Sequence, residues 1–175
     1  MAMPDSPDPK HDDTPKLDTQ MVELLGRSRL IDQLLRAGLE VALPERDRGV
    51  DLIAYADLSE QVDRFSARPI QLKVATDRRL SIDRKYERIS NLIIAFVWHI
   101  DDPNETEIYA MTYGQVLDLA EQAGWTKTKS WSTGSYSSRH PGKQTMQLMQ
   151  RHRMTPQKWR ELIVGDASRD PRRDA

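Results

Sequence analysis

The stretch RGVDLIAYA (48–56) and the stretch PIQLKVA (69–75) decide the fold. VDLIAYA is apolar on both faces apart from Asp51, the pattern of a strand buried inside a sheet. In PIQLKVA, Ile70, Leu72 and Val74 alternate with Gln71 and Lys73, so the two polar side chains share one face of a second strand. A lone carboxylate in an apolar strand requires a partner or a metal, and Lys73 poses the same problem. If the two strands are neighbours, Asp51, Gln71 and Lys73 converge at one end of the sheet.

Working outward, Asp18 or Thr19 caps a helix over roughly 19–37. Its apolar positions Met21, Val22, Leu24, Leu25, Leu30, Ile31, Leu34 and Leu35 follow helical spacing, and Gly38 stands where the helix ends. LEVALP (39–44) reads as a short strand stopped by Pro44. DRRLSIDRKYERIS (77–90) holds a short strand or loop and a helical turn. NLIIAFVWHI (91–100), the most hydrophobic run, is expected at the centre of the sheet. DDPNETE supplies a turn, IYAMT (108–112) another strand, and YGQVLDLAEQAG (113–124) a helix closed by Gly124. Residues 125–144 resist assignment; TMQLMQRH and TPQKWRELIV (155–164) read as helical. This order describes an α/β (α+β) domain with a mixed sheet flanked by helices.

With 175 residues the chain suits one domain with appendages. We read an acidic disordered arm at 1–18, the α/β domain at 19–124, a basic C-terminal extension at 125–164 and a flexible tail at 165–175. The absence of cysteine excludes disulfides, thiolate nucleophiles and Cys-based metal sites, so a metal would be held by oxygen. No run reaches the ~18 apolar residues of a membrane span and the start lacks a signal-peptide pattern, so the expectation is a cytoplasmic protein with no membrane partner. The net charge of −1 conceals segments of opposite sign. From Gln122 to Arg160 there is no acidic residue, while Lys127, Lys129, Arg139, Lys143, Arg151, Arg153, Lys158 and Arg160 lie among Trp125, Trp131, Tyr136 and Trp159. A basic face with interleaved aromatics is one footprint of nucleic-acid binding; packing of these aromatics against the sheet explains them equally well.

Asp51 and an amide or carbonyl oxygen beside a lysine frame a position for a hard cation such as Mg²⁺. Such an ion stabilises a phosphodiester transition state and acidifies a water, and Lys73 would orient that water or neutralise developing charge. The pattern Arg48-Gly49-Val50-Asp51 followed by Gln71-Leu72-Lys73 resembles the PD-(D/E)xK superfamily of restriction-endonuclease-like nucleases, in the variant that carries Gln for the acidic residue of the second motif. The likeness spans roughly residues 20–112. It implies a mixed central sheet of the restriction-endonuclease-like fold, a Mg²⁺ (or Mn²⁺) ion held by Glu23, Asp51, Gln71 and the main-chain oxygen of Leu72, and catalysis by Asp51, Gln71, Lys73 and Glu23. Glu23 is the first-helix glutamate of the resemblance, one helical turn further from the strand than expected, with Arg27 in the nearer place. Asp32 is the fallback on the same helix.

The resemblance also places phosphate-contacting side chains after the QxK strand, where Lys85 and Arg88 stand; together with Lys127, Lys129, Arg139 and Lys143 they are the candidate nucleic-acid contacts, with DNA the expected partner. Dimerisation, common among such nucleases, is compatible with the chain but not demanded by any segment. His99, Asp101 and Asp102 allow a second metal site, with a solvated turn as the commoner outcome. Two rival readings stand beside the nuclease: the same fold without activity, binding DNA or a protein, and an unrelated α/β domain in which the D…QxK spacing is accidental. Convergence of Glu23 with Asp51, Gln71 and Lys73 discriminates the first; adjacent pairing of the two strands argues against the second.

Overall fold

A computed structural model describes residues 16–46, 48–56 and 65–165. Most of the acidic arm, the polar stretch 57–64 and the tail beyond 165 lie outside the described residues. Helix α1 (Thr19–Arg36) begins where the Asp18 side chain accepts the Met21 N–H at 2.8 Å, satisfying one of the orphan donors of the first turn. Its inner stripe is Gly26, Leu30 and Leu34. The apolar face expected from spacing is broader than the one used, for Met21, Leu24, Leu25 and Leu35 are exposed. The apolar residues of this helix occupy two sides, and only one side meets the sheet.

The main sheet holds β1 (Glu40–Ala42), β2 (Leu52–Ala56), β3 (Ser66–Val74), β5 (Ile93–Trp98) and β6 (Glu107–Thr112), in the order β1-β2-β3-β5-β6. β3 runs antiparallel to β2, with Leu52 opposite Ile70, and parallel to β5, with Ile70 opposite Ile93. β1–β2 and β5–β6 are antiparallel. The two strands expected to be neighbours are neighbours. The middle strand is β3 rather than the hydrophobic run of β5. β5 is nonetheless buried at all six positions, because its alternate side chains enter packed layers on both faces while β6 and a returning segment continue the sheet beyond it. That segment covers the β6 edge: Met154 N–H donates to the Ile108 carbonyl at 2.9 Å and Ala110 N–H to the His152 carbonyl at 3.0 Å.

The parallel step from β3 to β5 is bridged by β4 (Leu80–Asp83) and a 3₁₀ turn (Arg84–Arg88). β4 pairs with β7 (Ser135–Ser138) in a separate two-stranded sheet. The other helices are α2 (Tyr113–Gln122), α3 (Lys129–Ser132), α4 (Lys143–Gln150) and α5 (Pro156–Val164). Thr112 caps α2 through a reciprocal capping box with Gln115.

Each face of the sheet carries its own core. On one, Leu30 and Leu34 of α1 and Trp159 and Ile163 of α5 cover Leu52, Ile70 and Leu72. On the other, Leu80, Ile82, Tyr86, Val116, Trp125 and Met149 cover Ile94, Phe96 and Trp98. Residues read as a basic extension thus contribute to both cores. Trp159 is fully buried and its indole N–H donates to Gln33 Oε1 at 2.7 Å; Trp125 stacks on Tyr136 with centroids 4.5 Å apart. Several of the cations there are structural. Lys158 Nζ donates to the carbonyls of Arg151 and Arg153, Arg153 pairs with Glu107 at 3.3 Å, and Arg160 donates to the Ala37 carbonyl. Among the described residues no helix is long and apolar enough to cross a membrane.

Candidate active site

β2 stops pairing with β3 at Leu52–Ile70, while β3 runs on to Val74 beside β5. Gln71 to Val74 therefore have a backbone edge open on the β2 side. Asp51, one residue ahead of β2, turns into that opening. Its own N–H donates to the Ile70 carbonyl at 2.9 Å, and its Oδ2 accepts the Leu72 N–H at 2.6 Å, so a carboxylate oxygen takes the place of the next carbonyl in the ladder. This supplies the partner that the sequence pattern required of Asp51.

Gln71, 8% exposed, reaches the same oxygen. Its Nε2 donates to Asp51 Oδ2 at 2.5 Å and to the Leu72 carbonyl at 3.1 Å. Lys73, on the same face as Gln71, donates from Nζ to the Tyr86 hydroxyl at 3.1 Å and lies 5.1 Å from the Tyr86 ring centroid. Burial raises the Tyr86 phenol above its ordinary range; Asp83 and Asp51 push the same way and Lys85 opposes them. The phenol thus stays neutral near pH 7 and accepts from the ammonium.

The first helix overhangs this place because of Gly26. A Cβ there would lie 2.4 Å from both Val74 methyl groups, so only glycine allows α1 to ride directly on β3. Glu23, one turn earlier, then lines a cleft of about 340 Å³ together with Thr19, Asp51, Gln71, Lys73 and Ser81. The four residues expected to form a site border one space. Glu23 is 60% exposed there and pairs with Arg27 at 2.6 Å. Asp32 pairs with Arg36 at 2.9 Å on the exposed side of the helix.

The donors facing the cleft are hard oxygens: the carboxylates of Asp51 and Glu23, the Leu72 carbonyl and the Gln71 amide. Among the described residues no three His, Asp or Glu side chains gather as a ligand set. As it stands, the Gln71 amide offers its NH₂ to the two oxygens a cation would join. Turned over, it would set Oε1 against Asp51 Oδ2 and the Leu72 carbonyl, an arrangement tolerable only around a positive charge. With the amide turned, these oxygens would be of the kind that holds Mg²⁺ or Mn²⁺; as it stands, the amide NH₂ takes the contacts to Asp51 and the Leu72 carbonyl, and Arg79 brings a cation to the same cleft.

Lys85 and Arg88 lie on the 3₁₀ turn and, with Arg48, line a recess on the other side of Gln71. Lys127, Lys129, Arg139 and Lys143 are all exposed. His99 and Asp102 build a turn: Asp102 N–H donates to the His99 carbonyl at 3.1 Å, and the Asp102 side chain accepts the Asn104 N–H at 2.9 Å. Gly26, Tyr86 and Ser81 belong to the site's surroundings; Ser81 and Tyr86 lie in the stretch after the QxK strand where the resemblance places backbone-contacting side chains, and Tyr86 instead accepts from Lys73. For Gly26 a signal existed, since a glycine in mid-helix with no capping role marks a close approach. Comparison of the chain with protein-family models, curated proteins and solved structures found no match.

Proposed function

We propose that this protein is a metal-dependent nuclease of the PD-(D/E)xK type, with the restriction-endonuclease-like fold, hydrolysing phosphodiester bonds in DNA. One observation carries the reading: Glu23, Asp51, Gln71 and Lys73, drawn from α1, the start of β2 and β3, border a single cleft of about 340 Å³. The adjacent pairing of β2 and β3 is what the reading requires, because it sets Asp51 against Gln71 and Leu72.

Asp51, Glu23, the Leu72 carbonyl and the turned Gln71 amide would hold the ion. A Mg²⁺ or Mn²⁺ bound there supplies charge stabilisation to the phosphoryl oxygens and makes a water more acidic. Lys73 provides a fixed ammonium for the attacking water or for the charge that develops on the phosphate, and the Tyr86 hydroxyl holds that ammonium in place. Exposed cations, Lys127, Lys129, Arg139 and Lys143 among them, attract the backbone without reading sequence.

A second reading, the same fold used only for binding, is favoured by one contact: the Gln71 NH₂ already satisfies Asp51 and the Leu72 carbonyl. The deciding experiment is a Mg²⁺-dependent cleavage assay on supercoiled, linear and branched DNA with wild type, Lys73→Ala and Asp51→Ala. The nuclease reading expects chelator-sensitive products from wild type and a loss of roughly 10²-fold or more in both variants, with DNA binding kept. No product from wild type on any substrate, with salt-sensitive binding retained, selects the binding module.

A further inference from the structure

We infer that the recess behind Gln71 binds a terminal phosphate of a nucleic-acid strand. This rests on the nuclease reading and narrows its substrate to strands with phosphorylated ends. The recess measures about 360 Å³, and its polar lining is Arg48, Lys85, Arg88 and Gln71. None of its described lining residues is acidic. Lys85 is partly compensated by Asp83 at 3.5 Å, whereas Arg48 and Arg88 form no ion pair among the described residues. Three cations around one small space repel one another, and an anion there relieves all three interactions at once.

Gly49 keeps the space open. Its φ is +91°, and a Cβ on it would stand 3.3 Å from Tyr86 Cε1 and 3.4 Å from Ile89 Cδ1, two walls of the recess. Tyr86 and Ile89 wall it on the Gly49 side and leave room for a phosphate-sized anionic group. A phosphomonoester is such a group. It carries a charge of about −1.5 to −2 at neutral pH with three acceptor oxygens, against a single charge on an internal phosphodiester that continues in both directions. Two guanidinium forks and an ammonium match the monoester in charge and in donor geometry.

The recess and the Asp51–Lys73 cleft share Gln71 as a common wall. A strand end anchored in the recess therefore brings the neighbouring backbone to the cleft, and the chain would act close to a phosphorylated end.

The test is binding of an internally labelled single strand, by fluorescence anisotropy in the presence of a chelator, with 5′-phosphate, 3′-phosphate or hydroxyl ends, and of a circular strand of equal length. The inference expects a phosphate at one end to tighten binding about tenfold, the equivalent of one charge-assisted contact. That preference should vanish in Arg48→Gln/Arg88→Gln, whose positions are exposed and outside both cores; the circle loses only the general attraction of two cations, clearly less than the phosphorylated strand loses. Equal affinity for phosphorylated and hydroxyl ends overturns it. So does a loss on the circle as large as on the phosphorylated strand, which would mean an internal phosphate occupies the recess. No divalent ion takes part, so the outcome is independent of cleavage. An end preference in a protein that never cleaves keeps this site and removes the nuclease reading; cleavage without end preference does the reverse.

Discussion

Gln71 Nε2 stands 2.5 Å from Asp51 Oδ2, so a neutral amide makes the contact that a cation would make with that carboxylate. The amide thereby offers the Asp51 carboxylate a neutral partner. A carboxylate at position 71 would instead face Asp51 at short range and need a cation between them. Gln71→Glu is expected to lower the melting temperature in a chelator and to show a larger rise on adding Mg²⁺ than wild type, because the ion binds only the folded state. Thermal melts of both proteins with and without Mg²⁺ decide it. A Gln71→Glu protein that gains nothing from Mg²⁺ would remove the metal site from this cleft.

Glu23 is separable from its partner by magnitude. Its exposed pair with Arg27, four residues on, contributes about 0.3–0.5 kcal/mol. Glu23→Gln should therefore leave the urea midpoint nearly unchanged, while Mg²⁺-dependent cleavage falls and requires more metal to saturate. Equal metal dependence in the two proteins would mean that Glu23 serves α1 alone.

Residues 50–56 and 69–75 made the paired strands legible because side-chain alternation and the isolated Asp51 are local signals. The exit of Asp51 into an open strand edge was not legible, since it depends on where β2 stops pairing with β3. Periodicity likewise overstated the inner face of α1: Leu24 and Leu35 fit the spacing and point to solvent. The hydrophobicity of β5 does not make it the middle strand, because hydrophobicity reports burial, not order across the sheet, and both faces of β5 are covered. In the basic stretch, composition could not distinguish Lys158, spent on two backbone carbonyls, from exposed Lys127.

Gly26 sets the height of α1 over β3. Gly26→Ala gains about 1 kcal/mol of helix propensity, but its Cβ would lie 2.4 Å from the methyls of a Val74 side chain that has little rotamer freedom. Overpacking costs about 1–3 kcal/mol, so the net effect should be destabilising. In a Val74→Ala background the two methyls are gone and only the Cβ of residue 74, 3.0 Å away, stays close, so the same substitution should cost clearly less than in wild type. A double-mutant cycle by urea denaturation checks this; additive effects would contradict the close contact.

Tyr113 ties stability to alkaline pH. Burial, followed by Glu87, raises its phenol to about 12, and the hydroxyl donates to the Asp83 carbonyl at 3.1 Å. The unfolded chain ionises near its ordinary value of about 10, so between about 10 and 12 the native state holds a proton that the unfolded state has released. This contribution is complete below pH 10 and is lost as pH rises toward 12. Tyr113→Phe should lose stability at pH 7 for want of the hydrogen bond and should show a shallower decline above pH 10. Parallel slopes for the two proteins in urea midpoint against pH would contradict the assignment.

The basic stretch should divide into two groups under mutation. Lys158 and Arg153 hold the segment that covers the β6 edge, the first through two carbonyls and the second through Glu107. Alanine at either should lower stability and leave the salt dependence of DNA binding close to wild type. Lys127, Lys129, Arg139 and Lys143 are exposed, so alanine at each should leave the fold intact. If each neutralises one phosphate, its removal lowers the slope of log K against log salt by about 0.9. Titrations of DNA at several salt concentrations, set beside thermal melts, separate the groups. Unchanged slopes in all four exposed variants would take the DNA contact away from this face and leave it to the cations around the cleft.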